Sequence, residues 1–157
     1  MEEQKYNKIV IVSLYEKFST MVAKALADEL GLLFCRTREL LSYEIMDRKL
    51  IEERCSLDYL KKQEARVLSN LASYENVCIS IAYERFMECA ELLKKESIIV
   101  FVDLPKSYIK EKSKISFIRF EERTLRLKQF ANLVIGVRKA DKELVKTKIL
   151  KQLGGIL

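Results

Sequence analysis

Five short apolar runs punctuate the chain, spaced so that a helix fits between each pair. They are Ile9–Val12, Leu32–Cys35, Val77–Ile81, Ile98–Val102 and Leu133–Val137. A run such as Ile98-Ile99-Val100-Phe101-Val102 is apolar on both sides of a pleat, so it has to be covered on two faces. Between the runs, apolar residues recur at helical spacing over about 19–30, 37–50, 56–73, 84–95, 106–112, 119–130 and 140–153. Buried strands alternating with helices of this length predict a parallel sheet with crossover helices. Gly31 is placed to cap the first helix, and Pro105 suits the end of the fourth strand and a first helical turn. In 56–73, Leu57, Leu60, Val67, Leu68 and Leu71 share a face with Glu64. A carboxylate there needs a partner or a place at the rim, because an unpaired buried charge is costly.

One proline and four glycines leave little material for a linker, so residues 1–157 read as a single domain. There is no apolar run of 18 residues, and Met1-Glu2-Glu3-Gln4-Lys5 is unlike a signal peptide. A cytoplasmic protein with no membrane association is expected. The chain has no histidine, and Cys35, Cys55, Cys78 and Cys89 form no C-x-x-C pair. That argues against zinc and haem and removes the usual general base. The net charge is +6, with the densest basic runs at Lys106–Lys114 and Arg138–Lys151. Most basic residues are mixed with acids, so these runs read as solvated helix faces and nucleic acid is not an expected partner.

The most informative stretch is Ile9-Val10-Ile11-Val12-Ser13-Leu14-Tyr15-Glu16-Lys17-Phe18-Ser19-Thr20, which leads into an apolar-periodic helix. Strand, tight turn and hydroxyl-bearing helix start is the layout of a phosphate-binding loop, written G-x-x-x-x-G-K-[ST]. Here Ser13 and Phe18 stand where the glycines belong. Either Ser19 replaces the lysine or one residue is missing.

Further segments extend the likeness. Ala23-Lys24-Ala25-Leu26-Ala27-Asp28-Glu29-Leu30-Gly31-Leu32-Leu33-Phe34 resembles the first helix and second strand of the shikimate kinase family. Cys35-Arg36-Thr37-Arg38-Glu39-Leu40-Leu41 fits the place of that family's D-T-D and E-L-I. Leu60-Lys61-Lys62-Gln63-Glu64 fits its F-R-x-x-E, and Val77–Ala82 its strand before a triple glycine. Arg123-Thr124-Leu125-Arg126-Leu127 with Ala131–Ile135 resembles its R-x-P-L-Y segment and last strand. The resemblance implies a three-layer α/β/α P-loop kinase-like fold with a five-stranded parallel sheet.

The departures from the family pattern all touch chemistry. Phe18 is expected to crowd the turn, and Lys17 is the nearest substitute cation. Thr20 keeps the hydroxyl that touches Mg²⁺ in the family, and is equally an ordinary helix N-cap. Arg36 and Arg38 stand where the family has aspartates, and Ala82-Tyr83-Glu84-Arg85 replaces the triple glycine. Asp103 is the only acid ending a central strand, and Arg119 the one candidate for a lid arginine. Ser13, Lys17, Ser19, Thr20 and Arg123 therefore mark the nucleotide-binding positions of the pattern. Arg36, Arg38, Lys61 and Arg119 are candidates to hold an anion. Two arrangements stay open: a cationic cleft, or a cleft closed by Arg36 and Arg38 pairing with Glu64 and Glu39. The resulting expectation is a shikimate-kinase-like domain without phosphoryl transfer, with no catalytic residue and no resident metal. It would bind an anionic metabolite or a protein partner. The alternative is an active kinase using ATP and Mg²⁺ to phosphorylate the 3-hydroxyl of shikimate.

Overall fold

The five apolar runs form one parallel sheet, in the order β2-β3-β1-β4-β5. The strands are β1 (Lys8–Val12), β2 (Leu33–Arg36), β3 (Val77–Ile81), β4 (Ile98–Asp103) and β5 (Leu133–Gly136). This computed structural model describes residues 7–45 and 47–156. The Met1–Lys5 reading, and Met46 within the helix expected over 37–50, lie outside the described residues.

Eight helices connect and flank the strands: α1 (Glu16–Leu30), α2 (Thr37–Glu44), α3 (Arg48–Arg54), α4 (Leu57–Asn70), α5 (Tyr83–Glu96), α6 (Lys106–Lys112), α7 (Phe117–Phe130) and α8 (Lys142–Ile156). Alternation along the strands sends side chains to two cores. Ile9, Ile11, Val100 and Val102 pack with α1, Ile109 of α6 and Val145 and Ile149 of α8. Val10, Val12, Ile99 and Phe101 pack with Leu41 of α2, Leu68 of α4, Phe86 of α5 and Leu127 of α7. Three layers, helix on sheet on helix, result. No helix among the described residues is long and apolar enough to cross a membrane.

Gly31 caps α1 at φ 68° and its amide donates to Ala27 O, a left-handed position that glycine takes without strain. Three expectations are corrected. The helix expected over 37–50 is broken into α2 and α3, with Asp47 at φ 54° opening the second piece. The second strand starts at Leu33 rather than Leu32, and because β2 is an edge strand Leu33 is 71% exposed. Leu57 lies on the exposed first turn of α4, behind the Ser56 cap, and not on the buried stripe.

Candidate functional site

In open α/β sheets, ligands bind beyond the carboxyl ends of the strands. At β1 that region is a turn of only residues 13–15, because α1 begins at Glu16. None of residues 13–20 has positive φ; the described residues that do are Gly31, Asp47 and Asn76. Hydroxyls and amides close the turn on itself. Ser13 Oγ donates to Tyr15 O at 2.8 Å and accepts from Tyr15 N at 3.1 Å. Since the Ser13 proton is used, Ser19 is the donor in the 2.5 Å contact between the two serine hydroxyls. The amides of Phe18 and Ser19 both donate to Tyr15 O, at 3.1 and 3.3 Å.

Phe18 was expected inside this turn and stands elsewhere. It lies in the first turn of α1, 2% exposed, with its ring edge-on to Tyr108 of α6 at 6.1 Å. Lys17, on the opposite side of that turn, is exposed. Thr20 is not an N-cap, a position held by Tyr15. Its hydroxyl lies 3.0 Å from both the Glu16 carbonyl and Glu16 Oε1, and 3.2 Å from Ser80 Oγ of β3.

Glu16 is the centre of this end of the molecule. Arg36, at the tip of β2, donates to both its carboxylate oxygens, Nε to Oε1 at 2.8 Å and Nη2 to Oε2 at 2.9 Å. Two parallel charge-assisted bonds are the strong geometry for this pair. The Arg36 guanidinium holds the Glu16 carboxyl below its usual range against the opposing effect of burial, with Thr20 and the charge of Arg38 helping. Glu16 in turn holds the Arg36 guanidinium above its usual range.

Beside this pair opens a cleft of about 320 Å³, lined by Glu16, Thr37, Arg38, Leu41, Arg48, Ala82, Glu84 and Arg85. The expected pairing of Glu64 with Arg36 or Arg38 is not made. Glu64, 8% exposed, takes Arg48 Nη2 at 3.1 Å and Arg85 Nη1, while Arg36 adds a 3.5 Å contact to Glu39. Arg123 bonds Glu84 at 3.0 Å and lies 4.6 Å from the Tyr83 ring centroid. Arg38 makes no ion pair among the described residues. Lys61 and Arg119 are exposed on α4 and α7 and do not line the cleft.

Three features of the cleft favour an anion. Helices α2 and α5 both start at it, with N-caps Arg36 and Ala82 that supply no side-chain hydrogen bond. Thr37 Oγ1 is buried without a hydrogen-bond partner, in a residue 1% exposed. Uncapped helix amides, an unpaired hydroxyl and an unpaired guanidinium are donors that a phosphate or carboxylate satisfies. Glu16, Thr37, Arg48 and Arg85 escaped the sequence reading. Glu16 carried the one usable signal, an acid in the first turn of a helix.

Asp103, at the end of β4, sits 3.8 Å from Lys128, and burial raises its carboxyl above its ordinary value while Lys128 opposes this. No group of three His, Cys, Asp or Glu able to hold a metal occurs among the described residues. Only Ser113–Ser116 separates α6 from α7, and Lys106 Nζ lies 3.5 Å from the Phe117 ring centroid, tying the two helices together.

No protein-family model matches the sequence, and no curated protein matches it. Solved structures do. Shikimate kinase from Aquifex aeolicus is 23% identical with a TM-score of 0.72, over 94% of this chain and 96% of that one. Shikimate kinase from Acinetobacter baumannii, in complex with shikimate, is 17% identical with a TM-score of 0.70, over 97% and 96%. A gluconokinase from Sinorhizobium meliloti is 16% identical with a TM-score of 0.61, over 98% and 95%. The chain has the α/β P-loop kinase fold in the form that shikimate kinases share.

Proposed function

We propose that this domain binds a small anion in the cleft between α2 and α5 and does not transfer phosphoryl groups. The observation that carries the reading is the closed β1–α1 turn. A P-loop presents backbone amides and a lysine to the phosphates of a nucleotide. Here the amides of Tyr15, Phe18 and Ser19 are bonded within the turn, and the side chain projecting beside them is the carboxylate of Glu16. That carboxylate, locked into its pair with Arg36, offers a triphosphate no donor, and the exposed Lys17 supplies no matched cation. The residues present do not fit ATP with Mg²⁺. Thr20, the hydroxyl the family pattern assigns to the metal, is engaged with Glu16 and Ser80.

The cleft fits a phosphate or carboxylate better. Arg38, the Thr37 hydroxyl and the amides opening α2 and α5 converge on one space. Arg36 is matched by Glu16, while Arg48 and Arg85 share the single carboxylate of Glu64, so Arg38 and Arg48, whose Nε has no hydrogen-bond partner, are the cations a ligand would meet. Isothermal calorimetry on the whole chain with inorganic phosphate, citrate and ATP–Mg²⁺ tests both halves. The expected result is phosphate or carboxylate binding in the millimolar range or tighter, lost in Arg38→Ala, with no heat from ATP–Mg²⁺. Failure of every anion removes the ligand reading and favours a protein partner.

A second reading, phosphorylation of shikimate from ATP, draws on the breadth of the structural likeness, which spans 94% of this chain for the Aquifex aeolicus enzyme. A coupled ADP-release assay with shikimate and Mg²⁺ separates the two. We expect a background rate; turnover that scales with protein concentration overturns the first reading.

A further inference from the structure

The positive charge of the chain is concentrated in one short segment. Residues 106–119 hold five basic residues and one acid, a net +4 out of the chain's +6. Lys106, Lys110, Lys112, Lys114 and Arg119 are all exposed, and none makes an ion pair among the described residues. In the cleft, by contrast, Arg36, Arg48, Arg85 and Arg123 each have a glutamate partner. The segment comprises α6, the connection Ser113–Ser116 and the first turn of α7. Within it two large apolar side chains face outward, Phe117 at 59% and Ile118 at 76% exposure. They are held from beneath. Ile109 of α6 and Phe120 of α7 are buried in the core, and Ser116 caps α7 by accepting from Arg119 N at 3.3 Å. A recess of about 250 Å³ lies beside them, lined by Lys106, Lys110, Ile115, Ser116, Phe117 and Phe120.

The chemistry of the tip narrows what covers it. Single-stranded nucleic acid needs ring faces on which bases stack. Ile118 has none, and one face of the Phe117 ring is taken by Lys106 Nζ, 3.5 Å from its centroid. A stable protein partner covers roughly 800 Å² on each side. Here the exposed acids Glu121 and Glu122 follow at once and cut Phe117 and Ile118 off from Leu125, the next exposed apolar residue of α7. A lipid surface needs no such area. A small apolar insertion and a cluster of unneutralised cations together hold a protein to an anionic bilayer. We infer that the α6–α7 tip docks on an anionic lipid surface, with Phe117 and Ile118 entering the headgroup boundary and the basic side chains around them meeting its phosphates and carboxylates. The contact is peripheral and independent of the small-anion reading of the cleft.

Vesicle co-sedimentation with the full chain tests it. Phosphatidylcholine vesicles with about 30% phosphatidylserine should half-bind the protein at about 0.1–1 mM lipid in low salt, and pure phosphatidylcholine should not. Each basic residue near such a surface contributes about fivefold, so K112Q/K114Q should bind about thirtyfold more weakly. K62Q/K95Q, which removes equal charge on α4 and at the far end of α5, should bind like the parent. F117S/I118S keeps the charge and should still bind about tenfold more weakly or worse. Thermal melts confirm that the variants fold. The chain has no tryptophan, so Ile118→Trp adds a single probe. Its emission should shift to the blue on the mixed vesicles and be quenched by brominated acyl chains. The inference is overturned by no binding at about 5 mM lipid, by equal binding to neutral vesicles, by F117S/I118S binding like the parent, or by an unshifted probe on bound vesicles. Binding of oligouridine or polyglutamate as tightly as the vesicles also overturns it, and assigns the charge to nucleic acid or to an acidic protein.

Discussion

Replacing Phe18 with glycine restores, on paper, one residue of the phosphate-loop pattern, and the structure says it will damage the protein instead. The side chain is 2% exposed and fills the core between α1 and α6, edge-on to Tyr108. Truncating a buried phenylalanine to alanine costs about 3–5 kcal/mol, and glycine in place of alanine adds up to about 1 kcal/mol in a helix. A total of about 4–6 kcal/mol is a large part of the 5–15 kcal/mol that holds typical domains folded. At about 2–4 °C per kcal/mol for a chain of this length, the melting temperature drops by roughly 10–20 °C. Phe18→Leu keeps most of the apolar volume and should cost about 1 kcal/mol. Urea unfolding monitored by circular dichroism reads this as a lower midpoint with unchanged slope. Calorimetry of the glycine variant with ATP–Mg²⁺ should stay silent, because the amides of residues 18 and 19 remain bonded to Tyr15 O. A stability loss below about 1 kcal/mol, or new nucleotide binding, refutes the placement of Phe18 as a core residue of a closed turn.

Other consequences follow from the ion pairs and thiols. Glu16→Gln leaves the Arg36 guanidinium without its carboxylate and should cost about 2 kcal/mol, partly recovered by added sulfate more than in the parent; thermal melts with and without sulfate measure both. The Glu16 carboxyl is held below its ordinary value of 4.5, so its contribution is fully present above that pH and is lost as pH falls through the lower folded value. The Glu16→Gln penalty should therefore shrink in melts at pH 3 compared with pH 7. Glu64→Ala strands Arg48, while Arg85 keeps its 3.5 Å contact with Glu88, and should cost about 2 kcal/mol in urea unfolding, whereas a cost near zero would mean Arg48 reaches water. Burial pushes the Cys78 and Cys89 thiols up to about 12, so in a thiol-reagent time course the exposed Cys55 should react first. Those two should react only on unfolding.

The fold was legible because it rests on pattern. All five apolar runs became strands with boundaries shifted by one residue at most, and the apolar residues of the central three became fully buried, since two-sided apolarity has few other solutions. Breaks set by single backbone angles were less visible. Asp47 adopts a left-handed φ with neither glycine nor proline to announce it, so one expected helix became α2 and α3. The α1 start was read three residues late because Tyr15, its N-cap, makes no side-chain cap and Phe18 looks like a loop obstruction until its core partner is known.

Charge in the cleft was the least legible part, and the reason is physical. Whether an arginine is free depends on which carboxylate the fold brings within 3–4 Å, and no local spacing encodes that. Arg36 finds Glu16 twenty residues away, and Glu64 collects Arg48 and Arg85 from opposite directions along the chain. Lys61 and Arg119, equal to Arg38 as sequence candidates, turn out to be exposed on helices outside the cleft. Pairing also separates the two basic regions in kind. Arginines are used where a planar fork can lock onto a carboxylate, and those of the cleft are largely consumed by the protein itself. Lysines dominate the segments that follow β4 and β5, where Lys106, Lys110, Lys112, Lys114, Lys139 and Lys142 make no ion pair among the described residues. A sequence reading that counts charges sees one mixed surface. The folded chain divides it into a cleft whose charge is mostly cancelled from within and a face whose charge is available to something outside.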